Sequence, residues 1–133
     1  MPFTQAQSDF VYSVDSYPAF VGGFGSGKTA AAIARIMRLK RMCPGQDVAY
    51  YLPTYGLVED IAYKRFPAMF DRRGFRYKLN RQAARFTTDI GDIIFRTMDN
   101  PDRIVGFEVA HSILDELDTL PIEKARNVWN KVI

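Results

Sequence analysis

A glycine-rich loop that ends in lysine and threonine constrains this chain more than any other stretch. Residues 22–29 read Gly-Gly-Phe-Gly-Ser-Gly-Lys-Thr and match the phosphate-loop pattern G-x-x-x-x-G-K-[ST] at every position. The pattern requires a strand before the loop and a helix after it. The flanks fit, because residues 19–21 are apolar and residues 30–42 favour a helix. A flexible Gly/Ser loop, which is the alternative interpretation, does not account for these flanks.

The loop indicates which residues would hold a nucleotide. The glycines allow tight turns that point successive backbone N–H groups at one anion. Lys28 is expected to reach the β- and γ-phosphates, and the Thr29 hydroxyl is expected to ligate Mg²⁺. The expected cofactors are therefore ATP and Mg²⁺. The candidate nucleotide-binding residues of the loop are Gly22, Gly23, Phe24, Gly25, Ser26, Gly27, Lys28 and Thr29.

Two adjacent carboxylates near the end of the chain form a second motif. Asp115 and Glu116 follow the apolar run Ser112-Ile113-Leu114, which has the form of a Walker B strand. Asp115 would hold Mg²⁺, and Glu116 would polarise the attacking water as general base. The pair alone could be a polar turn after a strand. Together with the phosphate loop it favours the catalytic interpretation.

The remaining patterns predict an α/β fold with a mainly parallel sheet flanked by helices and a β-hairpin insertion. The expected elements are a short helix capped by Thr4 that carries Phe10, Val11 and Val14, a first core strand at Phe20-Val21, a parallel strand at Val48 to Leu52, a helix from Leu57 to Phe66 ended by Pro67, a hairpin of Arg85 to Thr88 and Asp92 to Thr97, and a last helix at Ile122 to Val132.

The helix after the phosphate loop has two contrasting faces. Ile33, Ile36, Met37 and Met42 are expected to be buried. Arginines recur every third residue on the other side, and such a stripe is usually a solvated helix face; they are Arg35, Arg38 and Arg41.

Composition sets broader limits. The 133 residues suffice for one domain with a real core, and the net charge of +3 does not by itself imply nucleic acid. The single Cys43 excludes an internal disulfide, and His111 is expected to be a strand-entry residue. No apolar run approaches about 18 residues and no signal peptide is visible, so we expect no membrane association and a cytosolic protein.

Basic and aromatic residues alternate between Lys64 and Arg85. The stretch could track a phosphodiester backbone, or it could be the solvated surface of a small subdomain. The candidate DNA-binding or trans-acting arginines are Arg72, Arg73 and Arg76. Near the start of the chain, Gln5 or Gln7 could offer a donor and an acceptor to an adenine edge; the alternative, preferred from these residues alone, is a surface glutamine on the capping helix.

Taken in order, these motifs resemble the ATPase domain of the large terminase subunit of tailed bacteriophages, the motor that packages DNA into the capsid. The matching stretches are residues 3–7, 22–29, 53–55, 95–106 and 113–116. The resemblance implies an adenine-recognition role for Gln7, phosphate and Mg²⁺ binding by Lys28 and Thr29, and metal and base roles for Asp115 and Glu116. It also implies double-stranded DNA, a homo-oligomeric ring, the small terminase subunit and the portal as partners, in the cytoplasm of an infected bacterial host.

The sequence departs from the family pattern in two respects. The loop residues 23–26 carry no charge, whereas many members have a basic residue there, so a charge-stabilising arginine must come from elsewhere or from a neighbouring subunit. The family's chain continues with a coupling strand and a nuclease domain. We therefore expect residues 1–133 to be the N-terminal portion of a P-loop ATPase domain without the nuclease domain. The alternatives are a helicase-like DNA-dependent ATPase and a catalytically incomplete nucleotide-binding module.

Overall fold

The computed structural model describes residues 3–22, 27–99 and 109–132. The helices are α1 (Gln5–Tyr12), α2 (Lys28–Met42), α3 (Tyr55–Leu57), α4 (Tyr63–Arg72) and α5 (Ile122–Val132), with a π-helical segment at Val58–Ala62 and a 3₁₀ turn at Leu117–Thr119. The strands are β1 (Val48–Leu52), β2 (Tyr77–Asn80), β3 (Arg85–Thr88), β4 (Gly91–Thr97) and β5 (His111–Leu114).

The five strands form one sheet in the order β2-β3-β4-β1-β5. Strand β1 runs parallel to β4 on one side and to β5 on the other. The expected hairpin is β3 and β4, and β2 adds a further antiparallel strand beyond it. The prediction of an α/β fold with parallel strands and a hairpin is confirmed. Since β4 belongs to the hairpin and also pairs with β1, the hairpin is continuous with the main sheet.

Helices cover both faces of this sheet, and successive side chains of β1 point alternately to the two faces. Val48, Tyr50 and Leu52 enter the larger core, which also contains residues of α2 and α4. Ala49 and Tyr51 enter a smaller core on the opposite face, where Val128 of α5 is fully buried. A strand buried on both faces is typical of a parallel sheet between layers of helices.

Helix α1 packs on the outer side of α2. Its start is fixed by the capping residue predicted from the sequence: the Thr4 hydroxyl accepts a hydrogen bond from the Gln7 amide, and the Gln7 side chain accepts one from the Thr4 amide. Val11 packs against small residues of α2 in a third core cluster. Val14 was expected to belong to this helix, but the helix ends at Tyr12 and Val14 is exposed.

Helix α2 forms where it was predicted, but one apolar residue and one arginine differ from the prediction in their burial. Ile33, Ile36 and Met37 are buried as expected, whereas Met42 is 58% exposed at the end of the helix. Arg35 is buried rather than solvated, because α1 covers this side of α2.

The helix that follows β1 was predicted to stop before Pro67, and this prediction is wrong. Pro67 lies inside α4, which continues to Arg72. Proline removes one backbone hydrogen bond from a helix. Here Phe66 and Phe70, on either side of it, are both fully buried, and we attribute the continuation to this packing, which outweighs local propensity.

The prediction of a first core strand at Phe20-Val21 is also wrong. These residues belong to no strand, and Val21 is 95% exposed. A strand forms only where a neighbour pairs with its backbone, and an apolar run does not supply that neighbour. Phe20 instead packs edge-on against Phe10 of α1, with ring centroids 5.9 Å apart.

The basic and aromatic segment divides cleanly between inside and outside. Phe66 and Phe70 are fully buried, and Phe75 and Tyr77 pack against the same core. Its exposed cations include Arg72, Arg73 and Arg76. Within the residues that the structure describes, no helix has the length and apolar character needed to cross a membrane.

Candidate functional site

The two sequence motifs meet at one edge of the sheet. Asp115 directly follows the last residue of β5, and its amide donates to the Tyr51 carbonyl at 3.0 Å, which extends the strand ladder by one residue. Thr29 is the second residue of α2. The Thr29 hydroxyl donates to Asp115 Oδ2 at 3.3 Å, and both residues are buried. Residues 86 positions apart therefore share one site at the N-terminus of α2.

A tyrosine from the central strand completes this contact. The Tyr50 hydroxyl donates to the same Asp115 Oδ2 at 2.5 Å. Burial, and then the charge and hydrogen bond of Asp115, raise the pKa of Tyr50 well above its ordinary value. The phenol therefore keeps its proton at neutral pH and donates it in this hydrogen bond.

Gln7 lies directly against the end of the phosphate loop. Its side-chain nitrogen donates to the Gly27 carbonyl at 3.1 Å, and the residue is 8% exposed. The interpretation of Gln7 as a surface residue is therefore wrong. Gln5 is exposed, and its side chain bonds to Asp9.

The backbone conformation of position 27 favours glycine. Gly27 has a φ of +79°, in the left-handed region that favours glycine. A Cβ added at Gly27 would also lie 2.1 Å from the Gln7 side-chain nitrogen.

The other predicted site residues fall into two groups. Lys28 opens α2, and Gly22, the first residue of the phosphate-loop motif, lies in neither a helix nor a strand. Glu116 follows Asp115 in a left-handed conformation with a φ of 61°, and its carbonyl accepts hydrogen bonds from the amide and the hydroxyl of Thr119. The predicted loop residues Gly23, Phe24, Gly25 and Ser26 lie outside the described residues.

The contact between Thr29 and Asp115 fits a small, hard cation. A hydroxyl and a carboxylate are oxygen ligands of the kind that Mg²⁺ prefers. Among residues 3–22, 27–99 and 109–132 there is no group of three or more His, Cys, Asp or Glu side chains that could hold a metal alone. Magnesium is usually bound by one or two protein ligands, with water and phosphate oxygens completing its shell, so these two residues are sufficient.

Arg76 lies at the opposite edge of the sheet from this site. The neighbouring Tyr77 pairs with Thr88, and Thr88 pairs with Gly91, the first residue of β4. The parallel strands begin at that end of the sheet, whereas Asp115 follows the C-terminal end of β5. Arg76 is therefore not positioned to reach a nucleotide bound at Thr29 of the same chain.

Sequence reasoning missed Tyr50 and Arg35. A tyrosine within a strand predicted to be buried needs a hydrogen-bond partner for its hydroxyl, and this requirement could have pointed to Tyr50. Arg35 donates to the carbonyls of Phe10 at 2.8 Å and Ser13 at 3.1 Å and so ties the end of α1 to α2. The periodic spacing of the arginines held no signal for this contact.

The fold is shared with solved large terminase structures. Over 98% of its length the chain is similar to the large terminase from a thermophilic bacteriophage in complex with ADP, with a TM-score of 0.74 and 20% identity, and it covers 36% of that chain. A second crystal form of the same phage protein gives a TM-score of 0.77 at 18% identity. The large terminase ATPase domain of a Thermus phage matches 83% of this chain and 52% of its own, with a TM-score of 0.63 and 21% identity.

These comparisons show the fold expected from the sequence resemblance. At identities of 18–21% they do so through structure alone. The chain spans about a third of the length of the large terminase from the thermophilic bacteriophage. No family model matches the sequence, and no curated protein does.

Proposed function

We propose that this chain is the nucleotide-binding part of an ATPase of the phage large terminase family and that it binds and hydrolyses ATP with Mg²⁺. The observation that carries the proposal is the hydrogen bond between Thr29 and Asp115, which joins the phosphate-loop motif to the Walker B motif. The likeness in fold to a terminase solved with ADP supports the same conclusion.

Each site residue then has a distinct task. The backbone of residues 22–27, Lys28 and the N-terminus of α2 bind the phosphates, while Thr29 and Asp115 hold Mg²⁺, which neutralises phosphate charge when bound. Glu116 orients and deprotonates the attacking water. Gln7 positions the end of the phosphate loop through Gly27, and its neighbourhood is where an adenine would be recognised.

The wider function follows from the family resemblance. We propose that hydrolysis drives movement along double-stranded DNA, within a homo-oligomeric ring that works with a small terminase subunit and a portal. Arg72, Arg73 and Arg76 are offered as contacts to DNA or to a neighbouring subunit, supported by their exposure on the outside of the fold. DNA-stimulated hydrolysis without strand separation would favour this motor over a helicase-like enzyme.

Removing the phosphate-loop lysine tests the nucleotide site. Lys28→Ala is expected to abolish ATP hydrolysis and to weaken nucleotide binding sharply, because the positive charge beside the β- and γ-phosphates is lost. Steady-state hydrolysis and calorimetric titration with ATP measure the two effects. Lys131→Ala, an exposed change in the last turn of α5, is the matched control. Hydrolysis by Lys28→Ala at the control's rate would contradict the assignment.

A second pair of variants separates the two carboxylates. Glu116→Gln is expected to bind Mg·ATP and to stop turnover, since the metal ligand survives while the base is lost. Asp115→Asn is expected to weaken the Mg²⁺ dependence of binding itself. Calorimetry in the presence and absence of Mg²⁺ distinguishes them, and normal turnover in Glu116→Gln would show that Glu116 is not the base.

A further inference from the structure

The central strand places a phenol hydroxyl directly on the Walker B carboxylate. Tyr50 is fully buried in the middle of β1, and its hydroxyl lies 2.5 Å from Asp115 Oδ2. This distance is at the short end of the usual range for O–H···O bonds, whereas the hydrogen bond from Thr29 is long, at 3.3 Å. Within the described residues, Tyr50 is therefore the stronger of the two donors that hold the carboxylate.

The strand register explains how the hydroxyl reaches its partner. Tyr50 pairs with Ile113 of β5, and Asp115 is two residues further along the same chain. Alternate residues of a strand share one face, so Ile113, Asp115 and Tyr50 all face α2. The long tyrosine side chain extends along this face to the end of the neighbouring strand, where a shorter residue would stop inside the core.

The phenol ring has little freedom to move. Phe66 packs edge-on against it at a centroid distance of 5.3 Å, and Phe95 packs at 5.7 Å. Both of these rings are themselves buried in the larger core. Since close-packed interiors hold side chains in single rotamers, the core fixes the hydroxyl in space and the hydroxyl fixes the carboxylate.

We propose that Tyr50 is a positioning residue for the metal ligand: it anchors Oδ2 of Asp115 so that the other carboxylate oxygen faces the Mg²⁺ of a bound nucleotide. Both hydrogen bonds that side chains of the described residues make to this carboxylate are accepted by Oδ2, so neither of them occupies Oδ1. The inference rests on the proposed function. Hydrogen bonds that orient metal ligands typically change metal affinity by about 10–100-fold when removed.

The test compares nucleotide binding with and without the metal. ADP is titrated calorimetrically into the 133-residue chain in Mg²⁺ and in EDTA, at one low temperature, for the wild type and for Tyr50→Phe. This change removes one oxygen and leaves the ring in place. We expect the Mg²⁺ enhancement of ADP affinity to fall about tenfold in Tyr50→Phe. The affinity in EDTA should change less than about twofold, because the loop and Lys28 are untouched.

Two controls separate positioning from general damage. Tyr63→Phe removes a hydroxyl from another buried tyrosine of the same core, which donates to the Arg81 carbonyl at 3.4 Å away from the site, and it should keep the full enhancement. Adding Tyr50→Phe to Asp115→Asn should have no further effect on the enhancement, since the group that Tyr50 positions has already lost its charge. Thermal unfolding with ADP and with Mg·ADP repeats the comparison as a shift within each variant, so that a general loss of stability cancels.

Each outcome has a distinct meaning. Loss of enhancement in Tyr50→Phe alone supports the inference. An unchanged enhancement, an equal loss of affinity in Mg²⁺ and in EDTA, or the same effect in the Asp115→Asn background overturns it and leaves the proposed function standing. A wild type whose ADP affinity does not respond to Mg²⁺ overturns the metal site of the proposed function and this inference together.

Discussion

At the scale of single residues, His111 has an unusual environment. It is the only histidine of the chain, it opens β5, and its Nε2 is buried with no hydrogen-bond partner in the described part of the chain. Burial, and then the positive charges of Arg35 and Lys40, lower the pKa of His111 below its ordinary value. The folded chain therefore prefers the neutral imidazole.

This environment predicts an acid-sensitive fold. Below about pH 6.5 the unfolded chain binds a proton at this histidine more readily than the folded chain does, so the free energy of unfolding falls as the pH falls through this range. His111→Gln removes the titrating group and should flatten the decline of the melting temperature between about pH 7 and pH 5. Thermal unfolding at closely spaced pH values measures it. An equally steep decline in the variant would assign the effect to other groups.

At the scale of elements, Arg35 of α2 adds hydrogen bonds to the apolar contacts that hold α1 against α2. Arg35 donates to two carbonyls at the C-terminal end of α1, and its guanidinium lies 5.4 Å from the Phe10 ring centroid. The Phe10 carbonyl also accepts a hydrogen bond from the Ser13 amide at 3.4 Å, and Arg35 adds a charged donor to both carbonyls at this helix end. Helix α1 also carries Gln7, whose side chain donates to the Gly27 carbonyl. By holding α1 in place, Arg35 therefore also supports the contact of Gln7 with the end of the phosphate loop.

Replacing that arginine should loosen α1. Arg35→Met keeps much of the apolar stem and removes the hydrogen bonds, and we expect it to lower the free energy of unfolding by about 2 kcal/mol. Amide exchange in α1 should accelerate, and nucleotide affinity should fall as Gln7 loses its fixed position. The matched control is Arg38→Met. The guanidinium of Arg38 lies 5.2 Å from the centroid of the exposed Tyr12 ring, a contact that should contribute at most about 1 kcal/mol. Equal effects of the two variants would contradict a specific role for Arg35.

At the scale of the whole molecule, the basic segment keeps its aromatic side chains in or against the core and its arginines on the surface. The aromatic residues interleaved with the basic segment are buried or packed against the core, so they are not a platform on which nucleic-acid bases could stack. The exposed arginines lie on the end of α4, the turn after it and the approach to β2. Any nucleic acid bound here would be held through its backbone phosphates rather than its bases.

The salt dependence of DNA binding tests this surface. Changing Arg72, Arg73 and Arg76 together to glutamine should weaken binding to double-stranded DNA similarly for all sequences. It should also flatten the plot of log affinity against log salt concentration by roughly 2.7, which corresponds to three phosphate contacts. The control variant changes Lys124, Arg126 and Lys131 to glutamine and so removes the same amount of positive charge. These three residues belong to α5, which covers the other face of the sheet. An unchanged slope in the arginine variant would make this stretch a solvated surface.

Local sequence determined the features that depend on local chemistry. The Thr4 cap, the start of α2 after the phosphate loop, strand β1, the β3–β4 hairpin and the bounds of α5 all form where they were expected. The phosphate-loop and Walker B motifs also predicted which residues would meet: Thr29 contacts Asp115 at the carboxyl end of β5, although no strand precedes the loop among the described residues.

Other features depend on contacts between residues that are distant in sequence, and only the tertiary structure determined them. Residues 19–21 remain outside the sheet because no strand pairs with them, and α4 continues through Pro67 with Phe66 and Phe70 buried on either side. From the sequence, Arg35 was expected to be solvated and Tyr50 to be an ordinary strand residue. In the fold, Arg35 donates to backbone carbonyls and Tyr50 donates to the Asp115 carboxylate. Their roles depend on polar groups distant in sequence, and the need of a buried donor for an acceptor is met only when the chain is folded.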